Sequence, residues 1–167
     1  MNTTDELIKE ARPIDMGPVL EAYHQIEPGI LWTEYGHKGR QASLQHRTGD
    51  DPWTSSVGRS QGKEFDYDQI NPHIVGTIFE ELIVEFKMTR TRLMWVGPYA
   101  CYSMHVDYTP RVHVPIITNP EAYFVFKRGL VKHLEIGSVH WVDTRRYHSF
   151  MNCSDQPRLH LVGIVRE

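Results

Sequence analysis

The chain of 167 residues carries 18 Lys+Arg against 21 Asp+Glu, a formal charge of -3, with 40% hydrophobic and 11% aromatic residues; this is the length and composition of a single packed domain. With no basic surplus it is not expected to bind nucleic acid, and with no run of about 18 apolar residues it is not expected to enter a membrane. The N-terminal MNTTDELIKEARP is polar and acidic where a secretory signal would be basic and then apolar, so the expected location is cytoplasmic.

Two short helices are expected first, over residues 5–11 and 18–25. The stretch LQHRTGDDPWTSSVGRSQG then reads as a long loop, of the kind that is commonly functional. A clearer helix begins at Asn71-Pro72, an N-cap residue followed by proline at the first helical position. Ile74, Ile78, Leu82 and Phe86 recur every four residues, with Val75, Phe79 and Ile83 beside them, which makes one wide apolar face. Near residue 88 the character changes. Short β-branched or aromatic segments at 91–97, 100–107, 110–117, 122–127, 130–135, 139–143, 147–152 and 158–166 are separated by signals such as Gly97-Pro98, Asn119-Pro120 and Ile136-Gly137. The expected fold is mainly β with flanking α: a helical and loop region over 1–88, and a jelly roll or cupin-like barrel over 89–167, with the helices packed outside it in a single domain.

Cys101 and Cys153 have neither the spacing of a structural zinc site nor the number for a disulfide scaffold. Histidine is the unusual component: ten occur, and His105, His113, His133, His140, His148 and His160 fall in the C-terminal third. In His105-Val106-Asp107 the two side chains are two apart on an extended segment, so imidazole and carboxylate can converge on one ion. A surface His/Asp pair would read the same way. His148, at the start of a later strand, completes two histidines and one carboxylate, the facial triad of non-haem Fe(II) oxygenases. Arg158 lies ten positions after His148, at a strand entrance from which a guanidinium can grip a carboxylate. Arg111 and His113 are again two apart and are expected at the barrel mouth, where they offer further donors to an anion. His24, His37, His46, His73, His133, His140 and His160 are read as structural.

These segments, HVDYTPRVHVPIITNP, GSVHWVDTRRYHSFMN and RLHLVGIV, resemble the aspartyl/asparaginyl β-hydroxylase branch of the Fe(II)/2-oxoglutarate-dependent oxygenases, which has relatives acting on free proline. The resemblance runs from about residue 90 to the C-terminus. It implies a double-stranded β-helix with Fe(II) held by His105, Asp107 and His148. It also implies that Arg158 binds the distal carboxylate of the co-substrate 2-oxoglutarate, with Arg111 and His113 beside it. The activity implied is O2-dependent hydroxylation of an amino-acid side chain, with release of succinate and CO2. Asp143, Ser149 and Asn152 are placed to hold His148.

The loop at 45–62, with Asp50-Asp51, is expected near the barrel mouth, so Trp53 and Arg59 are the candidate substrate residues; a hydrophobic plug under the loop is the other reading of Trp53. Arg145-Arg146 reads as a solvated face. No helical extension follows the last strand, which favours a site open to a peptide or protein residue, while a free amino acid such as proline fits if the loop closes. Two other functions are compatible with the same residues: a metal-dependent jelly-roll enzyme that does not use 2-oxoglutarate, with Arg158 on the substrate's carboxylate, and a non-catalytic cupin-like small-molecule binding module.

Overall fold

A computed structural model describes residues 7–36, 38–59, 61–127 and 129–166; His37 and residues 5 and 6 of the first expected helix lie outside the described residues. From residue 8 on, that segment is a strand, β1 (Ile8–Pro13). It pairs antiparallel with residues 138–142, and an available sheet edge here outweighs local propensity. Helix α1 (Met16–Ile26) forms as expected. Asp15 caps it by accepting from the Gly17 N–H, and Val19, Ala22, Tyr23 and Ile26 form its buried stripe. Three strands then appear where a loop and polar turns are expected: β2 (Thr33–Glu34), β3 (Gly39–Ser43) and β4 (Gln45–His46), the last pairing with β5 (Gln69–Ile70).

The helix expected from Pro72 is broken. Pro72–Ile74 form one 3-10 turn capped by Asn71, Gly76 takes a φ of 78°, and α2 (Ile78–Glu85) starts afresh with the Thr77 hydroxyl accepting from the Phe79 N–H. A left-handed residue ends a helical run, and glycine adopts that conformation without steric cost. Val75 is consequently exposed, while Ile74, Phe79, Leu82 and Ile83 are buried.

From here the strands follow closely: β6 (Thr89–Val96), β7 (Ala100–Cys101), β8 (Arg111–Ile117), β9 (Ala122–Phe126), β10 (Leu130–His133), β11 (Ser138–Val142), β12 (His148–Asn152) and β13 (Arg158–Ile164). The strand expected at 100–107 is only β7; beyond it the chain is extended but touches the sheet at a single bridge, His105 with His148. The strands form a jelly roll of two antiparallel sheets, one in the order β1-β11-β8-β13-β6-β3-β2 and the other β10-β9-β12-β7. Three strands of the large sheet thus come from before residue 88, and the N-terminal part is not only helix and loop.

The large sheet separates two environments by simple alternation. Val112, Val114 and Ile116 of β8, and Leu159 and Leu161 of β13, join Leu93 and the buried stripes of α1 and α2 in one core outside the barrel. On the other face Arg111, His113, Arg158, Arg92 and Val162 line a cavity between the sheets. Phe124, Phe126 and Phe150 of the small sheet form a second, smaller core facing it.

Backbone approach between β3 and β6 is tight. A Cβ at Gly39 would lie 2.2 Å from the Trp95 carbonyl oxygen, whereas one at Gly29 would meet nothing within 4 Å. Gly39→Ala is expected to cost about 1–3 kcal/mol of stability, the range for overpacking, and Gly29→Ala to be near neutral in the same urea titration.

Candidate metal centre and cavity

His148 opens β12, where its strand pairs with Phe126 of β9. Reciprocal backbone hydrogen bonds of 2.9 Å join it to His105, and the Asp107 N–H donates to the Thr144 carbonyl at 2.9 Å. These contacts fix the extended 103–109 segment against the barrel, so the i, i+2 spacing places His105 and Asp107 on one side. The ligand atoms of His105, Asp107 and His148 lie within 4.8 Å of one another; the two rings are 4.4 Å apart between centroids, and His148 Nε2 is 3.9 Å from Asp107 Oδ2.

Both imidazoles are oriented from behind. His105 Nδ1 lies 2.8 Å from the Ser103 carbonyl and His148 Nδ1 2.9 Å from the Arg146 carbonyl. A carbonyl only accepts, so Nδ1 carries the hydrogen in each and Nε2 presents its lone pair. Burial pushes the His148 pKa down, which favours the neutral imidazole that a metal requires. Two imidazole nitrogens and a carboxylate oxygen form a donor set suited to a first-row divalent cation. The residues expected to hold His148 have other partners: Asp143 accepts from Arg145 Nε at 2.7 Å, Ser149 donates to the Tyr102 carbonyl, and Asn152 donates to the carbonyls of Gly97 and Gln156. The Arg146 carbonyl takes the role instead; a backbone group carries no sequence signal for it.

The triad opens into a cavity of about 300 Å³ whose wall includes Arg158, Arg111 and His113. Arg158 is 2% exposed. Its guanidinium carbon stacks 3.7 Å over the Phe150 ring, its Nε has no hydrogen-bond partner, and burial lowers its pKa to about 9. It remains a cation at neutral pH without a counter-ion among the described residues, an arrangement that fits an incoming carboxylate. Arg111 is in a different situation. Its Nη2 is 3.0 Å from Glu64 Oε1 and 3.3 Å from Asp107 Oδ1, and its Nη1 donates to Thr109 at 2.6 Å. His113 has no partner on either ring nitrogen, and burial, followed by the charge of Arg158, holds its pKa well below the usual value. It therefore faces the cavity as a neutral ring, edge-on to Phe124 at 5.0 Å.

Trp53 does not line the cavity. It is 3% exposed and stacks on His73 at 5.1 Å beneath its loop, the plug of the two readings. Arg59 is exposed and also stands apart. The loop reaches the cavity through Gly58, whose N–H donates to Gln41 Oε1 at 3.2 Å. Four wall or support residues carry no expectation from the sequence. Arg90, Arg92 and Gln41 lie on the wall, and Glu64 behind it pairs with Arg90 at 2.7 Å as well as with Arg111. The readable signal was Thr-Arg-Thr-Arg at the start of β6, charged residues two apart on a strand that is otherwise buried.

No protein-family model and no curated protein matches this sequence. Among solved structures the chain is similar to an oxidoreductase of the 2OG-Fe(II) oxygenase family from Burkholderia pseudomallei, at 14% identity over 87% of this chain and 76% of that one, with a TM-score of 0.60. It is also similar to the viral collagen prolyl hydroxylase of Paramecium Bursaria Chlorella virus-1, at 7% identity over 99% and 100%, TM-score 0.54. A third is the DMSP lyase DddQ of Ruegeria pomeroyi, at 10% identity over 95% and 68%, TM-score 0.54. At these identities the shared property is the fold, which oxygenases and a lyase hold in common.

Two predictions follow from this geometry. Asp107→Ala should weaken Mn(II) binding, read by calorimetry, by more than the about 10–100-fold that losing an outer partner of a ligand costs. Glu64 is pushed up by burial but held below its ordinary 4.5 by Arg111 and then Arg90. Its contribution is present above that ordinary value and is lost as pH falls through the depressed one. Glu64→Gln leaves two buried guanidinium groups short of a partner and should cost about 3–5 kcal/mol at pH 7, a deficit that narrows below pH 4.5 in urea titrations.

Proposed function

We propose that the protein is an Fe(II)- and 2-oxoglutarate-dependent dioxygenase of the aspartyl/asparaginyl β-hydroxylase-like branch. It would hydroxylate an amino-acid side chain, within a peptide or protein or as a free amino acid such as proline. The observation that carries this reading is the pairing, in one cavity, of a two-histidine, one-carboxylate face with a buried guanidinium that has no counter-ion among the described residues. Support also comes from the fold shared with a 2OG-Fe(II) oxygenase and with a prolyl hydroxylase whose structure is its 2OG complex.

Bound Fe(II) with 2-oxoglutarate supplies O2 activation coupled to oxidative decarboxylation, which leaves succinate, CO2 and a hydroxylated product. The chain's own residues hold and orient these reactants. His105 and His148, through Nε2, and Asp107 hold the ion. Arg158 receives the distal carboxylate of 2-oxoglutarate with its paired donors. Phe150 under that guanidinium and Phe124 between His113 and His148 keep this end dry, which strengthens the ion pair. Arg111 holds Asp107 in position from behind, and Glu64 holds Arg111.

Under anaerobic conditions Fe(II) plus 2-oxoglutarate should produce the weak visible charge-transfer band of the chelated complex; no band at saturating ligand overturns the reading. Arg158→Met should raise the half-saturating 2-oxoglutarate concentration about 10–100-fold, the loss of one charge-assisted pair, while leaving Mn(II) affinity unchanged. Turnover that persists without 2-oxoglutarate would assign Arg158 to the substrate's own carboxylate.

A further inference from the structure

The cavity holds more positive charge than a metal and one co-substrate can use. Arg90, Arg92, Arg111 and Arg158 all line it, and among the described residues the carboxylates that reach them are Glu64 and Asp107. Glu64 pairs with Arg90 and Arg111, and Asp107 with Arg111, so neither Arg92 nor Arg158 has a carboxylate of the described residues within ion-pair distance, and Asp107 and Glu64 act on Arg92 only from farther away. A divalent cation would add two positive charges, and a 2-oxoglutarate dianion would remove only two.

Arg92 is 7% exposed. Its Nη1 donates to Gln41 Oε1 at 3.1 Å, its Nε has no partner, and no carboxylate of the described residues lies within ion-pair distance. Burial, then the neighbouring Arg90 and Arg111, lowers its pKa to about 9, so it too is a cation at neutral pH. The register keeps it apart from Arg158. On the paired strands Arg158 stands opposite Val96 while Arg92 stands opposite Val162, and four residues of strand separate their roots by about 13 Å. Tyr102, just after β7, also lines the cavity and feels the charges of Arg158 and Arg92.

We propose that Arg92, with Gln41 and Tyr102 beside it, is a second carboxylate-binding position in this cavity, and that the substrate is a carboxylic acid whose carboxylate it receives. The proposal rests on the assignment of Arg158 to 2-oxoglutarate. With one co-substrate carboxylate at Arg158 and the other at the metal, Arg92 is the remaining cation and selects an anionic substrate.

The test compares wild type with Arg92→Met and Arg92→Lys, loaded with Fe(II) under argon. In the 2-oxoglutarate titration Arg92→Met should stay within about two-fold of wild type, where loss of a true co-substrate contact would give about ten-fold or more. With 2-oxoglutarate saturating, free amino acids and short dicarboxylic acids are offered as acids and as the matching primary amides. A further arm offers acidic residues inside peptides blocked at both ends. The readouts are perturbation of the charge-transfer band and, in air, succinate release. Acids should act at least about ten-fold more strongly than amides, Arg92→Met should lose that preference, and Arg92→Lys should restore part of it. A response confined to free acids identifies a small-molecule substrate, and a response to the blocked acidic peptides identifies a side-chain carboxylate; either supports the subsite. Without ligand, the Tm of Arg92→Met should equal or exceed that of wild type, because an uncompensated buried cation has been removed.

A fall of several degrees in Tm would make Arg92 structural. A ten-fold rise in the 2-oxoglutarate requirement would give Arg92 to the co-substrate, and a panel in which no carboxylate is preferred over its amide would remove the subsite; each overturns the proposal. If wild type forms no charge-transfer band, the 2-oxoglutarate reading fails. An acid-over-amide preference seen by calorimetry and lost in Arg92→Met would still establish Arg92 as a carboxylate site.

Discussion

Burying guanidinium groups inside a barrel is costly unless something negative meets them, and the cavity of this protein contains four. Glu64 and Asp107 compensate two, which ties the loop before β5 and the 103–109 segment to β6 and β8. The other two, Arg92 and Arg158, face the cavity with no carboxylate of the described residues within ion-pair distance. Stability alone would favour apolar residues at both positions, so they are where the chain carries a cost that ligand binding can recover.

The fold makes that cost bearable by keeping its main core elsewhere. Because β-strand side chains alternate, the same β8 and β13 that carry Arg111, His113 and Arg158 inward also carry Val112, Val114, Ile116, Leu159 and Leu161 outward onto α1 and α2. The helices therefore support the cavity wall without entering it. The interior between the sheets is left free for polar and charged groups, with Phe124, Phe126 and Phe150 excluding water around them.

Much of this was legible in the sequence where spacing alone decides the outcome. Seven of the eight strand candidates after residue 88 form close to their expected positions, because alternating apolar residues bounded by turn signals leave few other conformations. The group His105, Asp107 and His148 converges as its spacing suggests, since two residues on one extended segment share a face and His148 opens a strand beside them. Residues 8–11 of the first expected helix misled, because a strand at a sheet edge is stabilised by its partner β11 and not by its own pattern. The run from Asn71 to Phe86 has the periodicity of one helix, but Gly76 and Thr77 interrupt it, a case of local backbone chemistry outweighing periodicity.

The sequence by itself determined most of the strands after residue 88, their inward and outward alternation, and the order His105, Asp107, His148, Arg158, because these follow from local periodicity and spacing. Only the tertiary structure decided the charge state of the cavity. Glu64 neutralises Arg90 and Arg111 across long sequence separations, Trp53 is folded under its own loop, and Arg92 is left facing Arg158's cavity with Gln41 but no carboxylate of the described residues within ion-pair distance. Whether a buried charge is compensated depends on which groups end up within a few ångströms of it, and that distance exists only once the strands have paired.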